Sequence, residues 1–187
     1  MADTTTIKVT GLAELQALLD TLPDKLELNV MRGALRAGAK LIMQEAVANV
    51  PVGATSTGNA DKYGGYAGAL RDSIHIGTKL SRPYVIARVV VGGKMKNGAD
   101  VWYAHIIEFT GAVPHTISAK GKAALSIGGL LYQSVQHPGM KAHPFLRPAL
   151  DSKGRDAVIA AAEYMKTRLA TKEGLDTAPI LIAGEDE

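Results

Sequence analysis

Two prolines set the scale of this chain. Between Pro23 and Val50-Pro51, apolar side chains recur at Leu28, Met31, Leu35, Ile42 and Ala46, the spacing of one helical face. Pro23 suits a first helical turn, where its missing N–H costs nothing. Pro51 disfavours the α conformation at the residue before it. The spacing therefore predicts a helix of about 26 residues, roughly 39 Å long at 1.5 Å per residue. Gly33 and Gly38 weaken it by up to ~1 kcal/mol each relative to Ala. They mark either close approach by another backbone or simple tolerance.

Around that helix the local signals are shorter. Gly11 to Leu19 reads as a brief helix that stops at Leu22-Pro23. Residues 51–69 are rich in Gly, Ser, Thr, Ala and Asn, with Tyr63 and Tyr66 the bulky members, and read as a long flexible loop. Ser73–Gly77 and Tyr84–Val91 read as strands of a hairpin, and Asn97-Gly98 as a tight turn. Trp102–Phe109 is compatible with strand or short helix. Ala123–Ile127 and Leu130–Val135 flank Gly128-Gly129 as a further hairpin. Asp151 or Ser152 can cap a last helix with Val158, Ala161, Met165 and Leu169 on its apolar face. That helix should end near Gly174, leaving residues 175–187 as an acidic C-terminal tail. The expected class is α+β: one antiparallel sheet of about four to five strands, packed against a long N-terminal helix and a C-terminal helix. The chain has 187 residues, a length that suits a single domain, 1–187.

Composition removes several functions. There is no cysteine, which excludes disulfides, thiolate metal sites and a cysteine nucleophile. No apolar run approaches the ~20 residues a bilayer requires, and the first residues lack the basic and apolar regions of a signal peptide. The chain reads as soluble and cytosolic. Its net charge of +3 hides a gradient. Residues 1–70 hold six Lys/Arg and seven Asp/Glu, residues 71–153 hold eleven and four, and residues 154–187 hold four and seven. The basic middle suits either nucleic acid or solvated strand edges, where lysines discourage edge pairing.

No phosphate loop, paired-histidine metalloprotease motif or nucleophile elbow occurs. His105, Glu108 and His137 are the best set for a metal, because imidazole and carboxylate suit zinc or iron, yet their spacing matches no standard ligand pattern. No catalytic, metal or cofactor residue is assigned, and the chain is not expected to be an enzyme. Phe145 and Arg147, between Pro144 and Pro148, allow two readings: an interface anchor, or a core plug whose neighbouring Arg pairs with Asp151.

The order of the motifs carries more than any one of them. Gly68-Ala69-Leu70-Arg71-Asp72-Ser73-Ile74 is followed by Tyr103-Ala104-His105-Ile106-Ile107-Glu108-Phe109, then His137-Pro138-Gly139 and Pro144-Phe145-Leu146-Arg147-Pro148-Ala149. From about Gly11 to Leu169 the chain resembles the neck or tail-component family of long-tailed double-stranded DNA phages, the family named after gene product ten of a lambdoid phage. One departure stands out. The family commonly reads Glu-Phe-Gly-Thr where this chain has Glu108-Phe109-Thr110-Gly111. The resemblance implies a structural virion protein without cofactors, a ring-forming subunit at the head–tail junction, made in the bacterial host cytoplasm. It implies a homo-oligomeric ring, a hexamer by analogy with tail symmetry, between head-connector and tail-tube or terminator proteins. DNA would pass through the lumen without specific binding, and no membrane is involved. Tyr63, Tyr66, Phe145 and Arg147 are the expected subunit contacts. Two other readings are a tail terminator that caps the tube and, further off, a nucleic-acid-binding module using the basic segment 71–153.

Overall fold

A computed structural model describes residues 7–52, 66–81, 84–119, 124–127, 129–172, 174–178, 180–182 and 184–186. Tyr63 and most of the loop 51–69 lie outside them. The long helix predicted between the prolines forms as α2, Asp24–Asn49. Val50 behind it is extended (ψ 132°), as a residue before proline must be. Helix α1, Leu12–Leu19, precedes it.

Helix α2 packs along α4, Leu146–Lys172. The two run antiparallel. A side chain added at Gly33 would meet the Tyr164 ring at 2.5 Å, and one at Gly38 would meet the Ala157 carbonyl oxygen at 2.4 Å. Gly38 therefore serves close approach by another backbone, whereas Gly33 faces the end of the Tyr164 side chain. The same closeness decides which face is deepest. Val30, Ala34, Gly38, Ala46 and Val50 are buried, whereas Leu28, Met31, Leu35 and Ile42 are half-buried along the flanks. On α4, Ala149, Ala157, Ala162 and Leu169 are buried and Val158 is exposed. Ala46 and Leu169 of the expected faces are buried, but elsewhere small side chains line the tight helix–helix seam and larger ones wrap its edges.

The seam joins two cores. One gathers Ala46 and Val50 of α2, Leu70 of the short helix α3 (Ala69–Asp72), Val101, Ala104, Phe145 and Ala149. The other gathers Leu15 and Leu19 of α1 with Val30, Ala162, Leu169 and Ile180. An antiparallel helix pair of this length sets the cores at opposite poles, about 39 Å being the length of a 26-residue helix.

The sheet departs from expectation. Instead of one sheet of four to five strands, the described strands form four two-stranded antiparallel pairs. Strands β2 (His75–Ser81) and β3 (Tyr84–Val90) make the expected hairpin and lie against α2. Strands β4 (His115–Ser118) and β7 (Ser134–His137) pair. Nested within them, β5 (Leu125–Ile127) and β6 (Leu130–Tyr132) flank the predicted turn at 128–129. Strand β1 (Ile7–Val9) pairs with β8 (Gly184–Asp186). Part of the expected tail is therefore tied back. Ile180 is buried, Lys166 Nζ donates to its carbonyl, and the backbone at Leu181 covers Gly11 so closely that a Cβ there would lie 2.3 Å from the Leu181 oxygen.

Candidate assembly surface

The site is organised by a buried carboxylate. Glu108 is 4% exposed and lies in a π-helical turn, Ile106–Thr110. Its Oε2 accepts the N–H groups of Phe145 (2.8 Å) and Leu146 (3.0 Å), and its Oε1 accepts that of Arg147 (3.0 Å). These are the first donors of α4, which otherwise lack intrahelical partners. The next residue, Pro148, has no N–H to satisfy. A carboxylate at a helix N-terminus also meets the positive end of the helix dipole. So α4 begins at Leu146 rather than at the expected Asp151 or Ser152, with its cap supplied from 37 residues upstream. The segments Tyr103–Phe109 and Pro144–Ala149 are two halves of one device.

The neighbouring backbone is equally constrained. Gly111 N–H donates to the Ile106 carbonyl at 2.7 Å, closing the π turn five residues back. Gly111 adopts φ +61°, and a Cβ there would lie 2.3 Å from the Met140 oxygen. The Thr110-Gly111 order thus places the glycine where the wider turn ends. Ala112 and Met140 exchange two backbone hydrogen bonds of 2.8 Å, and His143 N–H donates to the Ile107 carbonyl at 2.7 Å. Gly139 (φ +77°) faces Ala112, whose oxygen an added Cβ would approach to 2.2 Å. Only glycine allows both chains to cross here.

From this base an arm extends through β4–β7 and β5–β6. None of its strands packs extensively against a described element outside the arm. Register fixes its faces, since directly opposed residues project to the same side. His115, Ile117, Val135 and His137 share one face of β4–β7, opposite Thr116, Ser118, Ser134 and Gln136. Thr116 donates its hydroxyl to Gln136 on that polar side. The two histidines stack with centroids 5.0 Å apart. The His115 Nδ1–H donates to the Val113 carbonyl (2.9 Å), whereas His137 Nδ1 accepts from Gly139 N–H (3.0 Å). Further out, Leu125, Ile127, Leu130 and Tyr132 share one face. On it Ile127 is 50% and Leu130 63% exposed, while Leu131, on the opposite face beside Ser126, is 74% exposed. Phe109, Val113 and Met140 are exposed at the base. A monomer gains nothing from displaying such a face to water.

The expected contact residues separate on inspection. Phe145 is 0% exposed and belongs to the chain's own core; as an interface anchor it is corrected to a core plug, because its ring has no surface left to offer. Arg147 is exposed on the first turn of α4. Tyr66 is exposed, donates to Asp72 (3.0 Å), and that bond to a carboxylate holds its pKa above the usual tyrosine value. Tyr63 lies outside the described residues. The metal candidates do not converge. Both Glu108 oxygens are occupied by backbone donors, His105 is exposed with its ring on the Trp102 carbonyl, and His137 stacks on His115. Among the described residues no group of three His, Cys, Asp or Glu is placed to hold a metal ion. No described helix is long and apolar enough to cross a membrane. Sequence reasoning missed the arm's apolar face; its signal was Ile127 and Leu130 astride Gly128-Gly129.

The model of the family described as "Bacteriophage HK97-gp10, putative tail-component" matches residues 13–109. No curated protein and no solved structure matches the chain. The matched stretch runs from α1 to Phe109, beside the carboxylate that caps α4, and covers just over half the sequence. The chain belongs to the HK97-gp10-like family of bacteriophage tail components.

Proposed function

We propose that this chain is a structural subunit of a tailed-phage virion, one that joins a homo-oligomeric ring at the head–tail junction and completes the neck. The family match supports a tail component. The observation that carries the finer reading is the arm, whose apolar face is unpartnered among the described residues while its base is locked by Gly111, Gly139 and the Glu108 cap. Two-stranded hairpins are marginal alone in water, so a rigidly mounted, apolar hairpin favours a protein that finishes its folding by assembly. The ring, a hexamer by analogy with the tail, would sit between head-connector and tail-tube proteins with DNA passing through its lumen. Its role is mechanical, without catalysis or cofactor. The test is electron microscopy of a lysate in which this gene carries an early stop codon. Filled heads beside finished, unattached tails are expected. Overlong tails would replace this reading with that of a tail terminator.

A further inference from the structure

One packed unit of the molecule carries charge of a single sign. The middle of α2, residues 28–44, holds Arg32, Arg36 and Lys40 with no Asp or Glu. The β2–β3 hairpin that lies against it, with the turn that follows, spans residues 73–99. The described residues of that span hold Lys79, Arg88, Lys94 and Lys96, again with no Asp or Glu. Arg32 is half-buried and the other six cations are exposed. Among the described residues none of the seven has an ion-pair partner. The surroundings do not cancel this charge. Helix α4, which packs along α2, holds six Lys/Arg against Asp151, Asp156 and Glu163. The acids that border the unit are Glu27, Glu45, Asp72 and Asp100. Of these, Asp72 is taken by Arg71 and Tyr66, and Glu45 accepts from Asn49.

Register orients the hairpin. Val89 packs against the Phe145 core, as do Met43 and Val47 of α2, so its face of β2–β3 is turned inward. His75, Lys79, Tyr84 and Arg88 share the other face, and all four are exposed. We propose that this outward face of β2–β3, reinforced by the cations of α2, binds the phosphate backbone of duplex DNA without regard to sequence. The proposal deepens the ring reading and rests on it for one point, that this face lines the lumen. Duplex DNA carries one negative charge per ~1.7 Å of its axis, and neutralising phosphates releases counterions, so dispersed Lys and Arg attract it without any apolar core. Phosphate contacts position a duplex but carry no base information. An acidic protein fits less well, because the cores of protein interfaces are apolar and aromatic and are depleted in Lys. Tyr84 is the large hydrophobic residue that this face exposes.

The test is fluorescence anisotropy of a labelled duplex of mixed sequence, titrated with the full-length chain over a series of salt concentrations. Wild-type affinity should fall steeply as salt rises. Lys79→Gln combined with Arg88→Gln should weaken binding about tenfold at low salt and make the log–log salt slope shallower by about two. Lys141→Gln combined with Lys172→Gln removes the same charge from exposed positions outside the unit and should leave the slope nearly unchanged. All four side chains are exposed, so folding should be retained, as circular dichroism would verify. No binding at low salt overturns the proposal, and so does an equal loss in the two double variants. Light scattering of the wild-type chain without DNA is measured alongside. A closed oligomer that ignores the duplex overturns the DNA face and leaves the ring standing. A chain that binds as expected yet stays monomeric at every concentration supports the face and removes the ring.

Discussion

At the scale of single residues, Glu108 holds more of the molecule together than its position in the sequence suggests. Its two oxygens accept three backbone donors at the start of α4, and bonds to a charged acceptor contribute about 1.5–3 kcal/mol each, not additively. Glu108→Ala leaves buried donors unsatisfied and should cost about 3 kcal/mol or more in urea unfolding. Glu108→Gln retains an acceptor oxygen but loses the charge and points an amide at the same donors, so a smaller loss of about 1–2 kcal/mol is expected. If Glu108→Ala unfolds at the wild-type midpoint, the carboxylate is not what starts the helix. His105, three residues earlier, is dispensable by the same reasoning, since it is exposed and its ring meets only the Trp102 carbonyl.

At the scale of elements, the seam between α2 and α4 turns glycine from a weakness into a requirement. A methyl at Gly38 would overlap the Ala157 backbone, which cannot swing aside, whereas one at Gly154 would meet only the Leu150 side chain at 4.0 Å. Gly38→Ala should therefore destabilise by about 1–3 kcal/mol through overpacking. Gly154→Ala, in an open helical position, should stabilise by about 0.5–1 kcal/mol. Equal shifts of the thermal midpoint in the two variants would contradict the seam. Sequence reasoning found both helices and the two-glycine anomaly of α2, because proline stops and the 3.6 period are properties of neighbouring residues. It chose the faces on which Leu28, Met31 and Val158 stand, because large apolar side chains dominate any count of hydrophobicity. Which stripe goes deepest depends on how near the partner helix comes, and no single helix carries that information.

At the scale of the whole molecule, stability should be unevenly spread. The two cores are bridged by α2 and α4, while the arm contributes two-stranded pairs exposed on both sides. Local opening costs least where few apolar contacts shield the backbone. Hydrogen exchange of the unassembled chain should then be slower around Val30, Ala46 and Leu169 than in the arm strands β4 to β7, with those strands gaining protection on assembly. An arm as protected as α2 before assembly would mean that the chain covers it alone, and the proposed assembly would lose its driving force.

What the sequence determined by itself is what can be written within a few residues: the span of α2 between Pro23 and Pro51, the pairings of β2 with β3 and of β5 with β6, and the glycine stop after α4. Motif order also pointed to the family, since the segments around Ser73, Glu108 and Phe145 occur in a recognisable succession. Only the tertiary structure decided that Glu108 caps α4, that Phe145 fills the core instead of facing a neighbour, that the strands form separate pairs, and that residues 7–9 and 184–186 pair across the length of the chain. Each of these joins residues far apart in sequence. Such contacts become favourable only once the intervening chain has been ordered, so their evidence lies in the folded arrangement and not in any local stretch of residues.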